Sequence, residues 1–173
     1  MSPPFRTTAI AGIELLQCIP LLERGVPHGF TFRSGGFGAR QRDARDRERL
    51  ARALGLSSIS GMHQVHGNEI GILETSGTST RCDGLATDRE GAGVTVESAD
   101  CVPLLLWASS RNAVAAVHAG WRGTLAGIVE RAVSTLEQAF SVSPRDIHAV
   151  LGPAIGVCCY EVGDEVIEAF AAG

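Results

Sequence analysis

At 173 residues, with 45% apolar and 20% charged side chains, the chain can bury one core of its own, and a single domain over 1–173 is expected. A net charge of −4 and a pI near 5.7 exclude the electrostatic footprint of a nucleic-acid or anionic-membrane binder. All fifteen basic residues are arginine, which excludes a lysine Schiff base or a P-loop lysine, and five cysteines without framework spacing predict reduced thiols and a cytoplasmic protein.

Residues 8–22 read as one or two strands leading to Pro20. The apolar stretch Ala9–Leu22 is interrupted by Glu14, Gln17 and Pro20, so it is neither a signal peptide nor a membrane span. His28–Arg33 alternates, with Phe30 and Phe32 on one face and Thr31 and Arg33 on the other, as a half-buried strand does. It ends at Ser34-Gly35-Gly36, where a guanidinium and turn amides can meet an anion; a hairpin turn with a surface Arg33 is the plainer reading.

Residues 39–54 interleave Arg with Asp and Glu at helical spacing, predicting a solvated helix capped by Gly55. The acids interrupt the basic run and no aromatics accompany it, which speaks against nucleic-acid binding. His63–Leu73 has strand character, Thr75–Thr80 reads as a loop, Cys82-Asp83-Gly84 as a tight turn, and Val94–Val96 as a short strand.

Two apolar runs follow, Val102–Trp107 and Ala113–Val117, with Cys101 just before the first and His118 just after the second. A thiol and an imidazole at the ends of neighbouring strands are what an open metal site requires, and equally a Cys/His catalytic pair. His63 and His66 supply two more imidazoles, and strand alternation would put them on opposite faces. Apolar residues from Leu125 to Phe140 keep the i, i+3, i+4 pattern, predicting one helix over 124–140 whose N-terminus, with Arg122, favours an anion. Ile147–Leu151 reads as a strand, Cys158-Cys159 as buried thiols rather than a vicinal disulfide, and a last helix starts at Asp164. Tyr160 suits a pocket wall or a core position. Strands alternating with helices make an α+β or layered α/β domain.

HQVHG, CDGLAT, ESADCVPLLL, AAVHAGWRGT and LGPAIGVCCYEVG, in this order, resemble the successive motifs of the YfiH/YlmD family. That family was first labelled polyphenol oxidoreductase (laccase) and later recognised as zinc-dependent purine nucleoside phosphorylases. The resemblance implies an α+β fold with mixed sheets flanked by helices, distantly like the cytotoxic necrotizing factor catalytic domain. It also implies metal ligands at His66, Cys101 and His118, and phosphate or ribose contact at Arg33 and Ser34. The position of Arg122 at a helix N-terminus makes it a second, weaker substrate contact, and Asp83 reads either as an acid–base partner or as a turn former. Purine nucleoside and phosphate are the implied substrates, with adenosine deamination as an added reaction.

Two departures stand out. No Leu-Asn-Leu segment follows the Gly-Gly turn, and the family extends past the last helix, so the C-terminal portion is expected to be lacking. Zinc is the expected metal and copper the alternative. Once His66 and His118 are used, only His28, His63 and His148 are left for the copper cluster of a laccase. A metal-free hydrolase with Cys101 as nucleophile, and a non-catalytic metal- or nucleoside-binding remnant, are the other readings.

Overall fold

The structure is a computed structural model that describes residues 4–35, 37, 44–73 and 81–172. Its elements are β1 (Phe5–Ile10), β2 (Ile13–Cys18), α1 (Ile19–Glu23), β3 (Phe30–Thr31), α2 (Ala44–Leu54), β4 (Ser58–Ser60), β5 (Ile70–Ile72) and β6 (Gly84–Thr87). They continue with β7 (Ala92–Val94), β8 (Val102–Ala108), β9 (Ala113–Ala119), α3 (Trp121–Leu125), α4 (Ile128–Phe140), β10 (Ile147–Leu151) and α5 (Asp164–Ala172). The class is α+β with a mixed sheet. The chain divides into two compact units, residues 1–59 with 91–93, and residues 60–90 with 94–173.

In the first unit, β1, β2 and β3 form an antiparallel sheet. Ala11 and Gly12, both at positive φ (50° and 76°), close the β1–β2 hairpin as a two-residue turn, the geometry that matches strand twist. Strand β2 buries Ile13, Leu15 and Gln17 and exposes Glu14, the period of a half-buried strand. Pro20 sits inside the short helix α1 rather than ending a strand, because a proline is tolerated in a first helical turn. Strand β3 is shorter than the alternation predicts, because Arg33–Gly35 winds into a 3-10 turn. Helix α2 ends as expected: Gly55 at φ +70° gives its amide to Arg52 and Leu56 gives its amide to Ala51, a Schellman cap. Residues 39–43 of the predicted helix, Gly36 and the 75–80 loop lie outside the described residues.

The second unit is built on a five-stranded sheet in the order β10-β8-β9-β6-β5, antiparallel except for the parallel β5–β6 pair. Helix α4 lays Ile128, Ala132 and Leu136, each fully buried, against the sheet residues Leu104, Leu106, Ala115 and Val117. The helix predicted over 124–140 is two helices. Gly127 adopts φ +73°, which an α-helix cannot continue through, and Leu125 lies 39% exposed instead of joining the stripe. Strand β6 begins at Gly84, the last residue of the predicted 82–84 turn, and its four residues Gly84–Thr87 are all buried between β5 and β9. The predicted 94–96 strand is displaced to β7. Helix α5 begins at Asp164 as expected and has no buried residue, with Ile167 57% and Phe170 48% exposed. No helix among the described residues is long and apolar enough to cross a membrane.

Candidate metal centre

Strands β8 and β9 are antiparallel neighbours in which Val102 pairs with Ala119 and Pro103 with His118. Cys101, one residue before β8, therefore lies at the same end of the sheet as His118. Strand β9 runs two residues further than expected and takes His118 inside it, 3% exposed. His66 arrives from a turn rather than a strand: only Ile70–Ile72 of the predicted 63–73 strand is extended, apart from a single bridge at His63. The donor atoms of His66, Cys101 and His118 lie within 4.8 Å of one another, and the two imidazoles meet edge to face at 4.8 Å.

Asp83 organises this turn. Its carboxylate, fully buried, accepts the amides of Val65 (3.1 Å), His66 (2.9 Å) and Gly67 (2.7 Å), and receives His118 Nδ1 at 2.9 Å. Three convergent amides around one anion compensate the left-handed backbone of His66, φ +61°, which a bulky side chain otherwise resists. Burial alone pushes the Asp83 carboxyl up, but the bonds from His118, Gly67, Val65 and His66 outweigh it and hold the group below the usual carboxylate value. Because a carboxylate can only accept, His118 Nδ1 carries the hydrogen and Nε2 is left as the ligand atom.

A further positioning residue is Gln64, which sequence reasoning passed over. Its amide donates to Glu97 O and accepts from Glu97 N, both at 2.8 Å, and so clamps the histidine turn to the segment leading into Cys101. The Gln in HQVHG was visible, but its partner 33 residues away was not. His63, exposed and bridged to Arg81, is not among the three donors.

Gly120 decides what room the donors have. A Cβ placed there would sit 3.2 Å from Cys101 Sγ, 3.2 Å from His66 Cδ2 and 3.8 Å from His118 Cε1. A Cβ on Gly123 would come within 2.6 Å of the Gly67 carbonyl, so the turn of α3 approaches the histidine turn backbone to backbone. The residues fit a metal: two imidazoles and a thiol converge on a space that one methyl would fill. Metal bonds of ~2.0–2.3 Å put tetrahedral donors roughly 3.3–3.6 Å apart, inside the 4.8 Å that bounds their separations here. Burial, then the nearby charges of Asp100 and Asp83, push the Cys101 thiol up.

The other predicted residues fall elsewhere. Arg33 and Ser34 are exposed on the 3-10 turn of the first unit, whereas the three donors and Asp83 belong to the second. Arg122 is exposed in α3 with its guanidinium 4.1 Å over the Trp121 ring. Cys158 and Cys159, expected to be buried, are exposed on a turn, because the segment after Leu151 leaves the sheet. Tyr160 is 45% exposed, so it is not a core residue. His28 is buried with both ring nitrogens on backbone groups, and His148 stacks on Trp107, its partner across β10 and β8.

Residues 28–173 match the model of a family described as multi-copper polyphenol oxidoreductase laccase. The chain belongs to this family, the YfiH/YlmD family. Among its YfiH/YlmD relatives, a purine nucleoside phosphorylase of Deinococcus radiodurans is 36% identical over 93% of this chain and 68% of its own length. The purine nucleoside phosphorylase YfiH of Escherichia coli is 42% identical over 73% of this chain and 51% of its own. The crystal structure of Bacillus licheniformis YfiH superposes with a TM-score of 0.77 at 29% identity, over 97% of this chain and 71% of that one. The chain spans about half the length of several of the curated relatives it matches, and a third of another.

Proposed function

We propose that the chain takes part in phosphorolysis of purine nucleosides at a zinc centre held by His66, Cys101 and His118, with adenosine deamination as a second reaction there. The observation that carries this reading is the convergence of three donors around Gly120, which has no side chain to fill the space. The relatives' name, purine nucleoside phosphorylase, supplies the substrate class. When bound, zinc would be held by His66, Cys101 and His118 and would supply a Lewis acid.

The chain's own residues hold and orient. Asp83 fixes the His118 tautomer and the His66 turn; with its oxygens committed to four donors, it is assigned a positioning role in place of the acid–base role expected from the sequence. Arg122, exposed in the same unit as the three donors, is assigned to phosphate, whose charge must be balanced as it approaches the anomeric carbon. In phosphorolysis a phosphate oxygen forms the bond to that carbon while the bond to the purine nitrogen breaks, giving ribose 1-phosphate and free base.

Two rival readings fare less well. A cysteine nucleophile needs a lowered pKa, and Cys101 is pushed the other way by burial and two carboxylates. A thiol in that position becomes a thiolate when a cation is bound. A multicopper cluster needs more histidines than are free to serve, because His28 spends both ring nitrogens on Cys18 N and Val26 O.

The test is to incubate zinc-loaded chain with inosine or adenosine, with and without phosphate, and to follow free base, ribose 1-phosphate and inosine. Base release should require phosphate, vanish in Cys101→Ala, and show a raised KM for phosphate in Arg122→Ala. Base release that survives Cys101→Ala would overturn the assigned site.

A further inference from the structure

Outside the metal centre, a pair of thiols among the described residues stands in contact. Cys158 and Cys159 are both exposed, both free, and their sulfurs lie 3.3 Å apart. The turn that presents them is hydrogen-bonded. Cys159 and Tyr160 both give their amides to the Gly156 carbonyl (3.0 and 3.1 Å), and the Ile155 amide is tied to Asp100 O at 2.9 Å. Consecutive sulfurs need not face each other. Here they do, in an exposed setting where a small reagent can reach them.

We propose that Cys158 and Cys159 form a dithiol modification site, closed to a vicinal disulfide by exchange with a low-molecular-weight disulfide and reopened by excess thiol. One thiolate attacks a sulfur of the reagent, forming a mixed disulfide and expelling one thiol. The neighbouring thiolate then attacks the protein sulfur of that mixed disulfide, closing the Cys158–Cys159 bond and expelling the second thiol. The protein loses two hydrogens and the reagent gains them. Consecutive Cα atoms are ~3.8 Å apart, closer than the ~4.4–6.8 Å of ordinary disulfides. The closed form is therefore readily reduced, the property of a reversible site and not of a structural bridge.

The experiment uses the whole chain with its metal bound, under argon, with oxidised glutathione as the probe. After denaturation, free thiols are alkylated and counted by intact mass, and the tryptic peptide starting at Asp146, which holds only these two of the five cysteines, is mapped. Alkylatable thiols should fall from five to three, with a peptide lighter by two hydrogens, and return to five on adding reduced glutathione. Cys158→Ser and Cys159→Ser should each stop at a stable glutathione adduct on the remaining cysteine. Unchanged thiol counts, a lasting glutathione adduct on the unsubstituted chain, or loss mapped to Cys18, Cys82 or Cys101 would each overturn the proposal.

Discussion

Asp83 Oδ1 and His118 Nδ1 lie 2.9 Å apart across 35 residues of chain, both groups buried, and the same carboxylate holds the turn that carries His66. One side chain thus orients two of the three donors. A metal ligand's hydrogen-bond partner commonly matters about 10–100-fold to affinity. Asp83→Asn, which turns an amide N–H toward groups that need an acceptor, should weaken zinc binding by about that factor in a chelator competition. The same carboxyl sets an acid limit. Its folded pKa lies below the ordinary value of 3.8, so its contribution is complete above that pH and is lost as pH falls toward the folded value. Denaturation midpoints taken between neutral and acid pH should show this limb in the parent chain and not in Asp83→Asn.

Gly120→Ala tests the space between the donors. The backbone there, φ −77° and ψ 168°, accepts any residue, so the fold should survive. The added Cβ would press on Cys101 Sγ and His66 Cδ2 at 3.2 Å. Zinc affinity should fall at least about tenfold, with a far-UV spectrum unchanged, since a misplacement of a few tenths of an ångström is felt at a bond of ~2.0–2.3 Å.

Leu136→Ala tests whether α4 and the sheet form one core. Leu136 is fully buried between Ile128, Ala132 and the strands, so its truncation should cost about 2–5 kcal/mol in urea unfolding. A cost within the surface range of ±0.5 kcal/mol would contradict the packing.

His28 gives the first unit a pH dependence of its own. Burial lowers its pKa below 6.5, against backbone hydrogen bonds to Val26 and Cys18 that raise it. Protonation would place a hydrogen on Nε2, which now accepts the Cys18 amide at 2.8 Å. Since the unfolded chain binds the proton more readily, this contribution is present above about pH 6.5 and is lost as pH falls through the folded value. Thermal midpoints should drop between pH 7.5 and 5.5, and His28→Gln should flatten that drop while lowering the midpoint at pH 7.5.

How much of this was legible follows from where each partner sits in the chain. The strands carrying Cys101 and His118 were readable because both are continuous apolar runs, and a short antiparallel hairpin leaves their outer ends no choice but to meet. The break in the long helix had a visible cause in Gly127, but a lone glycine costs a helix only ~1 kcal/mol, too little to decide a boundary from sequence. Strand β6 was missed because Asp83-Gly84 carries turn chemistry, and only burial between β5 and β9 overrides it. His63 and His66 defeated the alternation rule because the segment is a turn organised by a carboxylate 17 residues away. Cys158 and Cys159 read as core by type, yet the segment after Leu151 leaves the sheet and carries them into solvent. Local pattern reached the strands; contacts set by the assembled sheet did not show in it.

The most direct measurement of the metal assignment is a cobalt(II) titration of the metal-free chain in a Cys158→Ser, Cys159→Ser background, which removes the exposed thiols from competition. The expected result is one equivalent bound with a thiolate-to-cobalt charge-transfer band and tetrahedral d–d intensity, displaced by zinc. The band should vanish in Cys101→Ser, and binding should be lost in His66→Ala and His118→Ala. A full-strength thiolate band in Cys101→Ser, or stoichiometric binding that survives the loss of both histidines, would contradict the three-residue centre.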